Sequence, residues 1–231
     1  MDALIIMTRV PIPNKTKTRL MDIYTGVECS RLHQCFLMDI FKICEKLKDR
    51  MDIYLSYTPD DAYGRLAELV PDFISSFPQK GPNLGERMHN SIKYILDKKY
   101  EKVILMGSDI PELKIEAVTV ALEKLDLTDL CLGPTYDGGY YLIGMKKPCH
   151  GLFNSKLNWG YSTVFDRTVK LAENKGLQVS YTHKCRDIDT KEDIREFLMS
   201  VNSQEEDYPQ NTCSYLENNW RDCFLGEVIN E

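Results

Sequence analysis

The chain has 231 residues, of which 43% are hydrophobic and 28% charged, and it carries a formal net charge of −6. That length suits one large α/β domain with a real core, and the acidic balance argues against nonspecific binding to nucleic acid or anionic membrane. The start, MDALIIMTRVPIP, has a short apolar run with no basic region ahead of it. No segment approaches the ~18 apolar residues of a membrane span. A cytoplasmic protein with neither nucleic-acid nor membrane partners is expected. Eight cysteines occur without any C-x-x-C pair. In a chain of this kind they read as reduced, mostly buried small hydrophobes rather than disulfides or zinc ligands.

Residues 3–7 form a compact apolar strand. Residues 27–47 carry helical periodicity, with Leu32, Phe36, Leu37, Ile40, Phe41, Cys44 and Leu47 recurring every three or four positions. A strand at 53–57, a short helix near 61–69 and a weaker strand at 73–77 follow. Residues 83–98 are helical, 103–106 form a strongly apolar strand, and 114–125 the helix after it. The regularity then breaks. Residues 130–132 and 140–145 are strand-like around the turn signal Asp137–Gly138–Gly139, which suggests an inserted or antiparallel element. Helix 162–174, strand 178–182 and helix 190–201 complete the pattern. After Ser203 the chain turns polar and ends in a segment that reads as an appended short helix. The expected organisation is one domain over residues 1–202 and a C-terminal extension over 203–231. Strands alternating with helices predict a mostly parallel sheet covered on both faces, with ligands at the carboxyl ends of its strands.

The first such end leads into a loop with four cations in eleven residues, Arg9, Lys15, Lys17 and Arg19, and two prolines that restrict it. Cationic donors and loop N–H groups ahead of a helix suit a pyrophosphate, although a merely solvated basic loop has the same composition. Neither a Walker A loop nor a G-x-G-x-x-G occurs, which argues against a P-loop kinase or a nicotinamide dehydrogenase. The strongest strand ends in Gly107–Ser108–Asp109–Ile110–Pro111. A carboxylate there can bind Mg²⁺ or Mn²⁺, or it can cap the following helix, at whose start Pro111 would fit.

The cluster at 133–141 packs glycines and tyrosines together, which suits a sugar or other small acceptor but also a plain hairpin turn. After the last strand, Asp187 and Asp189 offer a second metal contact, whereas Thr190 or Asp189 could simply cap the final helix. Gln79 opens a loop into a helix. Trp159 is either a core anchor or a stacking platform. The histidines 33, 89, 150 and 183 are scattered, with His33 and His89 read as core or surface residues, and no nucleophile elbow occurs. That pattern favours displacement aided by metal and positioning over covalent catalysis.

Six stretches together resemble a known family: KTKTRL (15–20), QKGPNLGERM (79–88), GSDIPEL (107–113), GPTYDGGYYLIG (133–144), NWGYSTVF (158–165) and DIDTKED (187–193). In that order they are similar to the GT-A-like DUF2064 transferases, also known as radical-SAM/selenodomain-associated transferase 1 or arsenosugar-biosynthesis glycosyltransferases. These in turn resemble nucleotide-diphospho-sugar transferases and the guanylyltransferases for phospholactate and molybdenum cofactor. The resemblance covers roughly residues 3–198. It implies a three-layer αβα sandwich of the GT-A type, a nucleotide-activated donor, a small-molecule acceptor and a divalent cation, Mg²⁺ or Mn²⁺.

By that resemblance Lys17 and Arg19 contact donor phosphates, Asp109 the metal, and Gly138, Gly139 and Tyr140 the acceptor. The expected donor set is Arg9, Lys15, Lys17, Arg19, Gln79 and Ser108. Trp159 joins the acceptor set, Asp109 and Asp189 hold the metal, and Asp109 and Asp137 are the catalytic candidates. Asn14 stands where the family more often has glycine, a replacement that asparagine's tolerance of left-handed backbone permits. A glycosyltransferase is the first expectation, a nucleotidyltransferase the second, and a non-catalytic nucleotide sensor the third. Oligomeric state is not legible in the sequence.

Overall fold

A computed structural model describes residues 1–153 and 163–219. Trp159 and most of the 158–165 motif lie outside the described residues. Seven strands form one sheet in the order β3-β2-β1-β4-β6-β5-β7. They are β1 (Ala3–Arg9), β2 (Asp52–Thr58), β3 (Ile74–Pro78), β4 (Val103–Gly107), β5 (Leu130–Pro134), β6 (Tyr140–Met145) and β7 (Val179–Tyr181). Neighbours pair in parallel except at β6, which runs antiparallel to both β4 and β5. The broken regularity after residue 130 is this one reversed strand.

The helices are α1 (Gly26–Leu47), α2 (Leu84–Leu96), α3 (Ile115–Leu127), α4 (Val164–Glu173), α5 (Lys191–Ser200) and α6 (Gln210–Asn218). Because strand side chains alternate, β1 sends Leu4 and Ile6 into a cluster with α1 and α3, and Ala3, Ile5 and Met7 into a second cluster with Met88, Ile92 and Ile95 of α2. The result is a three-layer αβα sandwich. Thr25 and Glu28 form a capping box at the start of α1, and the apolar positions read from its periodicity are all buried.

Local expectations are corrected at two places. The helix anticipated near 61–69 is a 3-10 segment, Asp60–Arg65, with no buried residue to anchor a longer helix. Pro111 does not open α3, and Asp109 does not cap it. The N-cap is Lys114, without a side-chain cap bond, and the N–H of Ile115 is met instead by Asp207 Oδ2 at 3.1 Å. The seven cysteines among the described residues are free thiols. No described helix is long and apolar enough to cross a membrane.

Residues 204–219 are packed onto the rest of the domain. Helix α6 joins Leu20, Leu32, Phe36, Ile188 and Phe197 in a third cluster through Cys213 and Leu216. Its first turn is held by Asp39, a carboxylate only 3% exposed in the middle of α1. Asp39 Oδ1 accepts from the backbone and side-chain nitrogens of Asn211, and Oδ2 from the backbone and hydroxyl of Thr212. An anionic acceptor on the orphan donors of a helix N-terminus is favoured by charge as well as by hydrogen bonding. Replacing Asp39 with alanine strands four buried or half-buried donors. We expect a loss of about 2–4 kcal/mol, read as a lowered urea midpoint, with an unchanged midpoint contradicting the anchoring role.

Candidate functional site

The carboxyl ends of the parallel strands converge on one rim, and three stretches meet there. The first is the loop after β1. It turns through two residues with left-handed backbone, Asn14 at φ 62° and Lys17 at φ 49°, a conformation that asparagine tolerates. The second is the turn after β4, which carries Ser108 and Asp109. The third is the chain after β7. Cys185 bridges Thr135 beyond the end of β5, and Ile188 N donates to Asp109 O at 2.9 Å. Between Cys185 and Ile188 the chain therefore passes from the rim of β5 to that of β4, across the end of β6.

Lys17 joins all three. Its side chain is 3% exposed, and its ammonium lies 2.6 Å from Asp109 Oδ1 and 3.2 Å from Asp189 Oδ1. It also donates to the carbonyl of Ile188 at 2.6 Å and sits 5.1 Å above the ring of Phe36. Burial by itself would lower the lysine pKa, but the charges of Asp109 and Asp189 outweigh it and hold the ammonium above its usual value. Asp109 answers in kind. Against the upward push of desolvation, the Lys17 charge keeps its carboxyl below the usual range, and its side chain is still 47% exposed. Arg19 reaches the other oxygen of Asp189 at 3.2 Å. Arg9 and Lys15 are exposed on the same loop. A Cβ placed on Gly107 would meet nothing within 4 Å, so the mouth of β4 is open.

Other expected residues are placed differently from a ligand-facing reading. Ser108 is buried and turns its hydroxyl inward to Thr8 and His33. The Gln79 amide nitrogen donates to the carbonyls of Thr8 and Ser56, both at 2.9 Å, and so stitches the ends of β1 and β2. Asp137 Oδ1 accepts from Thr135 and from Gly139 N at 2.9 Å, closing a turn in which Gly138 has φ 89°. The ring of Tyr140 packs against the cluster that includes Phe153 and Ala172, and burial raises its phenol pKa. Its aromatic face is therefore committed to the core. Asp189 does not cap α5, since Thr190 and Asp193 form that capping box. Asp187 is pushed up to about 6, first by burial and then by the charge of Asp137. Among the described residues no three His, Cys, Asp or Glu side chains are grouped as a metal cage. A cleft of about 860 Å³ is lined by Tyr136, Arg186, Lys114 and Asp207 among others, and neither Lys17 nor Asp109 lines it.

The chain matches the model of a family described as uncharacterised proteins conserved in bacteria (DUF2064) over residues 44–161. It is also 30% identical to a protein from Desulfovibrio desulfuricans G20 provisionally named a nucleotide-diphospho-sugar transferase, covering 94% of this chain and 97% of that one with a TM-score of 0.81. The chain belongs to the DUF2064 family. The DUF2064 fold is shared more distantly with 4-diphosphocytidyl-2C-methyl-D-erythritol synthase from Anaerococcus prevotii DSM 20548 (14% identity, 86% and 96% coverage, TM-score 0.57). It is shared also with a CMP:2-keto-3-deoxy-manno-octonic acid synthetase complexed with CTP (7% identity, 86% and 98% coverage, TM-score 0.55). No curated protein matches the chain in sequence. The family match spans Gln79, Asp109 and the 133–144 cluster, and the Desulfovibrio relative extends the likeness over nearly the whole chain.

Of the two places the sequence left open for His33, core and surface, the structure gives the core, since the ring is buried beneath this DUF2064 rim. Burial lowers its pKa from 6.5 to about 4. The unfolded chain thus binds a proton at His33 that the folded one refuses. The stability this contributes is complete above pH 6.5 and is lost as the pH falls from there towards 4. The loss amounts to about 3 kcal/mol from this group. Urea midpoints measured across that window should fall more steeply for the native chain than for His33→Gln, and parallel slopes would contradict the burial.

Proposed function

We propose that the protein is a transferase that moves a sugar from a nucleoside-diphosphate sugar to a small acceptor. The donor's diphosphate would lie along Arg9, Lys15, Lys17 and Arg19, with Asp109 at the mouth of β4. The observation that carries this reading is the meeting of the cationic loop and the acid at one point, the 2.6 Å contact between Lys17 and Asp109. A departing diphosphate accumulates negative charge, and preorganised cations at the place where it forms lower the barrier.

Three oxygens surround the Lys17 ammonium, those of Asp109, Asp189 and the Ile188 carbonyl. Hard oxygen donors converging on one position suit Mg²⁺ or Mn²⁺, which takes one or two carboxylates and completes its shell with substrate phosphates and water. Asp109 and Asp189 would hold it, and the bound cation would neutralise charge on the diphosphate. Lys17 already fills this cradle in the free protein. Donor phosphates offer its ammonium another partner, so donor and metal would bind together rather than the metal alone. The acceptor would approach by the Gly138–Gly139 turn, where Asp137 is the candidate to accept the proton of its hydroxyl.

A second reading, nucleotidyl transfer with release of pyrophosphate, is favoured by the four cations of the loop, more than a diphosphate needs. The fold shared with the CTP-bound synthetase points the same way. Thermal melts separate the two. UDP- or GDP-sugars with Mn²⁺ or Mg²⁺ should raise the melting temperature by several degrees near saturation, and Asp109→Ala should abolish the metal-dependent part. Metal alone should leave the native chain unmoved but stabilise Lys17→Met, whose two carboxylates have lost their ammonium. Stabilisation by a triphosphate and by no nucleotide sugar would move the assignment to nucleotidyl transfer. A melt insensitive to every nucleotide with metal present would overturn both.

A further inference from the structure

One imidazole lies beneath the rim and touches two of the three stretches that meet there, the chain from the end of β1 and the turn after β4. His33 Nδ1 is 2.6 Å from Thr16 Oγ1, and Nε2 is 3.1 Å from Ser108 Oγ and 3.3 Å from Thr8 Oγ1. Thr16 precedes Lys17, Ser108 precedes Asp109, and Thr8 precedes Arg9. Each partner is therefore the immediate neighbour of a charged residue of the site.

The contacts also have a direction. A hydroxyl carries one proton to donate. That of Thr8 goes to the carbonyl of Arg9 at 2.9 Å, and that of Ser108 to Thr8 Oγ1 at 2.9 Å. Ser108 can then meet His33 only as an acceptor, so Nε2 carries the ring proton. Nδ1 holds the lone pair and accepts from Thr16. The chain runs one way, from Thr16 through His33, Ser108 and Thr8 to the carbonyl of Arg9, and a second ring proton would reverse the bond at Thr16. Every member but the last is at most 3% exposed, so no water stands in for a missing bond.

We propose that His33, in its Nε2–H tautomer, is a positioning residue that fastens the cationic loop to the turn after β4 and so sets Lys17 opposite Asp109. It acts through Thr16 and Ser108 and touches no substrate. Its value to catalysis rests on the nucleotide reading above, but the fastening itself is a property of the free protein and can be measured there.

The test uses the full chain labelled with ¹⁵N at histidine and lysine. The His33 ring should show a protonated Nε2 and a bare Nδ1 at neutral pH, and the Lys17 ammonium protons should exchange slowly enough to be seen. Thr16→Val keeps the volume and deletes the donor. It should cost the Lys17 signal and weaken binding of UDP with Mg²⁺ about tenfold, the equivalent of one hydrogen bond. Thr16→Ser should restore both. Ser108→Ala breaks the chain at its other end, should act like Thr16→Val, and serves if that variant does not fold.

A merely structural histidine would lower the melting temperature in these variants while leaving the Lys17 signal and the UDP affinity at their native values, and that result overturns the proposal. So does an Nδ1–H tautomer in the native chain. If the native chain binds neither UDP nor CTP, the nucleotide reading fails separately, and the tautomer and Lys17 signals still decide the role of His33.

Discussion

A buried ammonium can keep its proton only if opposite charge is held beside it. Lys17 meets that condition with two carboxylates and a carbonyl, all supplied by distant parts of the chain. The loop after β1 must turn left-handed to bring the lysine inward, the turn after β4 must carry an aspartate, and the chain beyond β7 must fold back across β6. If any one of the three were displaced, a charge would be left in a poorly hydrated place without its partner. That requirement makes the cluster costly to disturb.

Helix α1 supports this arrangement from below. Its Phe36 ring underlies the ammonium, its His33 reaches two of the three rim stretches, and its Asp39 anchors the first turn of α6. Helix α6 then packs with α1 and α5, and Asp207, just ahead of it, meets the N-terminus of α3. One long helix thus couples the rim to the segment after Ser203, which the sequence motifs of the family do not reach. Polar groups buried on a helix that is otherwise core are expensive unless each finds its partner, and here the partners are the elements that need placing.

Much of the architecture was legible because it follows from short-range rules. Alternation of apolar runs with helical periodicity marked the strands and helices of the sandwich, and the apolar face of α1 could be read residue by residue. The interrupted pattern after residue 130 marked the reversed strand. Local chemistry was less dependable where two jobs suit one residue type. Asp109 could have capped a helix and does not, whereas Thr190 and Asp193 do form a cap and leave Asp189 to the cations. Tyr140 and Ser108 lie in two of the motifs, but Tyr140 packs against the core and the Ser108 hydroxyl turns inward to Thr8 and His33.

From the sequence alone came the kind of fold and the charged residues at the carboxyl ends of its strands, because periodicity and composition act over a few residues. Tertiary structure alone decided which charges face one another. Lys17 finds the carbonyl of Ile188 across 171 residues and Thr16 finds His33 across 17. Such pairings leave no periodic trace, since a hydrogen bond depends on where two segments are brought together in space and not on the spacing between them along the chain.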